Sequence, residues 1–167
     1  MTHQRFSIDI NGLGLVALTK EAMRDVTDGT DYLEDVFWDG DNVTALANAG
    51  HVVGISTGSS GTYVVNVHLR PPTPEECNAQ FTLTTFIVVE GTQFSLLDLY
   101  DLMEWAPELC EDYAVDVPHA GRWKMTWLSS LPLSGVVGDQ QQVGLYLEPL
   151  AVDADTPVFD DIPELCG

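Results

Sequence analysis

The sequence predicts a mainly β protein, an antiparallel β-sandwich with one or two short helices; an α+β arrangement is the alternative. Three observations point there. Runs rich in Val, Ile, Thr and aromatic residues recur along the chain, about eight in all, at lengths typical of strands. Clusters of Gly, Pro, Asn and Ser separate them. Helical periodicity is confined to two short stretches. With 167 residues and 18.3 kDa, one domain spanning 1–167 is expected, with residues 153–167 as a docked or frayed C-terminal tail.

Phe6-Ser7-Ile8-Asp9-Ile10 alternates as a half-buried strand does. Asn11-Gly12 follows, and both residues tolerate the positive φ of a type I′ turn, so a hairpin into Leu13–Thr19 is expected. Lys20 to Asp41 is acidic loop with a short helical stretch near Lys20–Val26, and it carries the pair Phe37-Trp38. His51–Thr57 and Thr62–Leu69 flank Gly58-Ser59-Ser60-Gly61 and read as a second hairpin. Pro71-Pro72-Thr73-Pro74 stops that strand, since proline lacks the N–H a ladder needs. Gln80–Glu90 and Thr92–Leu97 are the next strands. Ser95 reads as a helix cap with Asp98 three residues on, followed by Leu96, Leu99, Tyr100 and Met103 on one helical face. Pro107 interrupts that helix. Tyr113–Val117, Arg122–Leu128 and Val143–Leu150 complete the strands. One parity of each supplies the expected core: Ile8, Ile10, Val53, Ile55, Val65, Val67, Phe86, Val88, Met125, Trp127, Leu145 and Leu147.

Charge narrows the function. The chain has 26 Asp and Glu against 6 Lys and Arg, a net charge of −20. Four Trp, five Tyr and six Phe belong to a folded body rather than an acidic disordered tail. Nucleic-acid binding needs clustered cations, so direct nucleic-acid contact is excluded, and anionic membranes are excluded by the same repulsion. No stretch reaches the roughly 20 apolar residues of a membrane span, and no signal-peptide pattern opens the chain, so a cytoplasmic protein is expected. Three widely spaced cysteines, Cys77, Cys110 and Cys166, are read as thiols, with Cys166 as an exposed, reactive one.

Motifs for catalysis or cofactors fail on context. Gly12-Leu13-Gly14-Leu15-Val16-Ala17 has dinucleotide-binding spacing, but that chemistry needs a helix where the next residues look like a strand. Gly54-Ile55-Ser56-Thr57-Gly58 matches a nucleophile elbow, yet the serine sits at a strand end rather than at a strand-to-helix turn. Asp39-Gly40-Asp41-Asn42 offers oxygen ligands without calcium-loop spacing. His3, His51, His68 and His119 contain no close ligand pair. No catalytic residue, cofactor or metal is expected.

Acid placement is more informative than any motif. Twenty of the 26 acids lie in three segments, Asp25–Asp41, Asp98–Asp116 and Glu148–Glu164, none containing Lys or Arg. Each also holds a large aromatic residue: Phe37 and Trp38; Tyr100, Trp105 and Tyr113; Phe159. A solvated coat accounts for the acids alone. Acids with aromatic anchors fit a surface for a basic protein partner. The partner-binding residues expected on this basis are Asp35, Trp38, Asp39, Asp41, Asp98, Asp101, Glu104 and Trp105, with both tryptophans exposed.

Val117-Pro118-His119-Ala120-Gly121-Arg122-Trp123-Lys124-Met125 resembles a late-strand pattern of small bacterial β-sandwich nuclease inhibitors of the competence protein J type and of toxin-immunity proteins. The order of the opening Phe6 strand, Trp38 in a loop and the Val52 and Val64 strands is similar too. The resemblance implies an acidic cytosolic inhibitor, an immunity protein, that occludes a basic toxin or nuclease. A sugar- or calcium-binding sandwich module is the alternative, motivated by Trp38 and Trp105.

Overall fold

The computed structural model describes residues 3–166. Nine strands form two sheets: β1 (His3–Ile10), β2 (Gly14–Leu18), β3 (Val52–Ser56), β4 (Gly61–His68), β5 (Phe81–Val89), β6 (Gln93–Asp98), β7 (Ala114–Asp116), β8 (Gly121–Ser129) and β9 (Gln141–Leu150). The five-stranded sheet has the order β1-β4-β9-β8-β5 and the four-stranded sheet β3-β2-β6-β7. All pairs are antiparallel except β4 with β9. The fold is mainly β. One α-helix, α1 (Gly40–Ala49), is joined by short 3-10 turns and a π-type turn at Leu33–Phe37. Among the described residues no helix is long and apolar enough to cross a membrane.

Two cores result, one on each face of the smaller sheet. Ile8, Ile10, Val65, Val67, Met125, Trp127, Leu145 and Leu147 meet Leu15, Ala17, Val53, Ile55, Phe94 and Leu96 between the sheets. Val16, Leu18, Val52 and Leu97 point the other way, into a second core with Tyr32, Leu33, Phe37, Val43, Leu102 and Trp105. Every residue of β2 is buried because helical segments cover its outer face. Gly54 permits that covering: a Cβ there would lie 2.8 Å from the Phe37 ring.

Both expected hairpins are instead crossovers between sheets. β1 pairs with β4, whereas β2 pairs with β3 and β6. The Asn11 and Gly12 N–H groups donate to Asp98 Oδ2 and Oδ1, at 3.0 and 3.1 Å, rather than closing a two-residue turn. β3 and β4 part in the same way at Gly58–Gly61. The parity expected in β5 is also reversed. Ile87 and Val89 enter the inter-sheet core, Val88 is half-buried, and Phe86 is buried on the opposite face against Gly50. Helix α1 begins within the expected acidic loop and runs past it. Its cap Asp39 accepts the Asp41 N–H at 2.9 Å, and Gly50 at φ 71° ends it. Finally, Ser95 is a buried strand residue; the cap is Asp98, three residues later, in a reciprocal box with Asp101.

The tail is docked. Ser56 N–H donates to Pro163 O and Leu165 N–H to Ser56 O, at 2.8 and 2.9 Å. Asn48 exchanges two side-chain hydrogen bonds with the Phe159 backbone. Leu165 and Cys166 are buried in the inter-sheet core, so the expectation of an exposed Cys166 thiol is overturned. All three cysteines are free, and Cys77 is the exposed one.

Candidate functional site

The helical layer over the smaller sheet brings the acidic segments together. Trp105 is the stitch. Its N–H donates to Thr30 O at 2.9 Å and its carbonyl accepts the Gly29 N–H at 2.7 Å, so the first two acidic segments run side by side. At 1% exposure its ring fills the second core. Its exposure and role as a contact residue were expected from acidic surroundings. The surrounding Leu102, Cys110 and Tyr32 show why it turns inward. Trp38 has the opposite fate and is 79% exposed. Asp31 Oδ1 accepts the Glu34 N–H and starts the π-type turn, which buries Phe37 and leaves the next side chain outward. Trp38 borders a shallow hollow of about 390 Å³ with Asp31, Leu33, Glu34 and Met103.

Asp35, Asp39, Asp41, Asp101 and Glu104 are exposed around this hollow and on the adjoining turns. Asp98 is not: it is 5% exposed and spends its carboxylate on Asn11 and Gly12. The expected contact role of Asp98 thus gives way to an internal one. Asp101 Oδ2 accepts the Asp98 N–H at 3.2 Å. Although the residue is exposed, partial desolvation of its carboxyl beside the Asp98 backbone, with the negative charges of Asp98 and Asp112, pushes Asp101 above the usual range. The third segment arrives with the tail. Ile162, next to Asp161, lies 3.6 Å from the Cβ position of Gly40, between Asp39 and Asp41. Three ion pairs occur among the described residues, Arg24–Glu90, Arg70–Glu76 and Lys124–Glu148; Glu148 opens the third segment on β9, away from this face, and none of the pairs involves an acid of the first two segments. Met103 borders the hollow at 48% exposed and Tyr100, 46% exposed, lies against Gly12; sequence reasoning placed both on one helix face and counted Tyr100 among the aromatics of the second acidic segment. Their signal was apolar residues alternating with Asp101 and Glu104 in a turn too short to bury all of them.

A larger hollow, about 680 Å³, lies on the outer face of the five-stranded sheet between Asn66, His68, Gln142 and the exposed Leu131 and Leu133. Its floor is Tyr146, whose ring covers Gly144 and whose hydroxyl donates to Glu76 Oε2 at 2.6 Å. Arg70 grips Glu76 with two hydrogen bonds, 2.8 and 3.1 Å, and holds its carboxyl far below the usual range. Burial and the Glu76 carboxylate push the Tyr146 phenol up to about 12. This group fastens the Pro71–Asn78 segment to the sheet. Tyr146 is buried, so the floor presents no exposed aromatic platform for a sugar.

Compared by sequence, the chain matches no protein-family profile and no curated protein. Compared by structure, it is similar to the protein described as crocagin biosynthetic gene J, with a TM-score of 0.56 at 17% identity, over 90% of this chain and 100% of that one. It is also similar to ComJ of Bacillus subtilis, described as an inhibitor of the DNA-degrading activity of NucA. There the TM-score is 0.51 at 11% identity, over 88% of this chain and 96% of that one. The fold of this chain is therefore of the ComJ type, as the late-strand pattern around Gly121 suggested.

Proposed function

We propose that this chain is a cytosolic immunity-type inhibitor that occludes a basic nuclease or toxin with the acidic face around Trp38. The observation that carries the reading is the meeting of two cation-free acidic segments at exposed Trp38 and Met103, with Ile162 of the tail beside Gly40. Acids steer a cationic cleft toward the face, and a desolvated tryptophan holds it there. Asp35, Asp39, Asp41, Asp101 and Glu104 pair with its Lys and Arg, while Trp38 is the anchor. Asp98 and Trp105 support the surface from beneath. The ComJ-type fold supports the reading, because ComJ is described as a nuclease inhibitor.

Co-expression tests it. The product of the neighbouring reading frame is expressed with and without this chain, and growth and chromosomal DNA integrity are followed. Rescue by the wild type that fails with Trp38→Ala supports the reading. DNA degradation unchanged by the wild-type chain at molar excess overturns it.

A further inference from the structure

A third hollow, about 190 Å³, opens at the edge of the acidic face among Leu13, Phe37, Val43, Leu99 and Ile162. It is smaller than the roughly 300–1,000 Å³ of a site for a drug-sized ligand and is sized for one side chain. Its lining is apolar except for Ser56. Two rim residues stay exposed, Leu13 at 58% and Ile162 at 36%. Leu13 is held there against its own preference. Its φ is 36°, in the left-handed region where an L-residue's Cβ crowds the following carbonyl. Both neighbours of the turn are clamped: Asp98 takes the Asn11 and Gly12 N–H groups, and the Leu13 carbonyl accepts the Thr57 N–H at 3.1 Å. An exposed leucine kept in a strained backbone is a feature that stability alone does not select. Asp39 and Asp41 flank Gly40, where a Cβ would lie 3.6 Å from Ile162, and Asp161 precedes Ile162.

We infer that this hollow is a socket for one bulky aliphatic side chain of the partner, presented between lysines or arginines that pair with the acids next to Gly40 and Ile162. The inference rests on the reading of the acidic face as the contact surface and names what that surface selects. A purely cationic segment gains the charge pairing alone; a cationic segment with a central leucine also removes Leu13 and Ile162 from water. Specificity among basic proteins then lies in the apolar residue, since charge by itself admits any of them.

The probes are two acetylated, amidated pentapeptides, Lys-Lys-Leu-Lys-Lys and Lys-Lys-Ala-Lys-Lys, titrated at low salt while the methyl signals of Val43, Ile162 and Leu13 are followed by NMR. The leucine peptide is expected to bind about tenfold more tightly and to shift those methyls. Leu13→Gly, which relieves the strained φ and so keeps the fold, and Ile162→Ala each reduce the ratio toward one. Trp38→Ala weakens both peptides alike and leaves the ratio intact. Equal binding of the two peptides by the wild type overturns the socket and leaves the acidic face standing. So does a leucine preference that survives Leu13→Gly or disappears in Trp38→Ala. Binding of neither peptide overturns the acidic face, and the socket with it.

Discussion

Trp38 and Trp105 both sit in acidic sequence, and the residues around each decide which becomes surface and which becomes core. Phe37 takes the inward position of its turn, so Trp38 is left outside; around Trp105, Leu102 and Cys110 close a ring that the indole completes. Truncation separates the two roles. Trp105→Ala is expected to cost roughly 3–5 kcal/mol of stability by opening a cavity in the second core. Trp38→Ala is expected to move the unfolding midpoint hardly at all, since it removes an exposed side chain. On the proposed partner the order reverses: Trp38→Ala costs on the order of 2 kcal/mol of binding, carried by the off-rate. Urea denaturation beside binding kinetics checks both halves; a stability loss from Trp38→Ala as large as that from Trp105→Ala contradicts the assignment. Asp98 follows the same logic. Asp98→Ala strands the Asn11 and Gly12 N–H groups, one of them buried, uncaps the Asp101 N–H, and is expected to destabilise by about 1–3 kcal/mol.

At the scale of elements, alternation made the strands legible, while pairing between them was not. Phe6–Ile10 lies within β1, and Thr62–Leu69 matches β4 except for Leu69, one residue past its end. Local turn chemistry at Asn11-Gly12 and Gly58–Gly61 suits a hairpin, but the choice of sheet is made by residues far away in sequence. Asp98 captures the first turn, and β9 pairs with β4. β2 and β6 carry apolar residues on both faces, which periodicity cannot assign to one sheet face or the other. Helix α1 had usable signals, Asp39 as cap and Gly50 as stop, masked by the acids before it. The exposed acids and Trp38 were legible because charge density survives folding. Trp105 and Asp98 were not, because burial is a property of the packed layer. The docked tail makes thiol chemistry a direct test: a thiol-labelling reagent should modify Cys77 in the native state and reach Cys110 and Cys166 only on unfolding. The Pro71–Asn78 segment gives a pH test. Arg70 depresses the Glu76 carboxyl in the folded state, so this contribution is present near neutral pH. It is lost as pH falls below about 5, where the unfolded carboxyl protonates first. The group is partly exposed, which keeps the effect modest. Glu76→Gln is therefore expected to flatten the acid side of a stability–pH curve measured between pH 3 and 7.

Across the whole molecule the charges are sorted. Of the six Lys and Arg, Arg5, Arg122 and Lys124 lie in strands of the five-stranded sheet and Arg70 follows β4, while Lys20 and Arg24 flank the turn after β2. Fourteen of the 26 acids lie in the two segments that belong to the other sheet and its helical layer. This asymmetry orients an approaching cation before contact, because the field of many uncompensated acids reaches several kT at the surface. Screening limits its range to about 8 Å at physiological salt. Association of a basic partner should therefore slow steeply as salt rises, whereas dissociation, set by buried contacts, should change little. Neutralising exposed acids tests this residue by residue. Asp35→Asn, Asp39→Asn or Glu104→Gln should each lower the on-rate and flatten its salt dependence, with the off-rate nearly unchanged. An acid of equal charge far from the face, such as Glu75 beside the outer sheet, should show a weaker effect when made Gln. Stopped-flow association at low and high salt decides the matter. If Glu75→Gln alters the salt slope as strongly as Asp35→Asn does, net charge alone drives the encounter and the sorting of charge has no part in it.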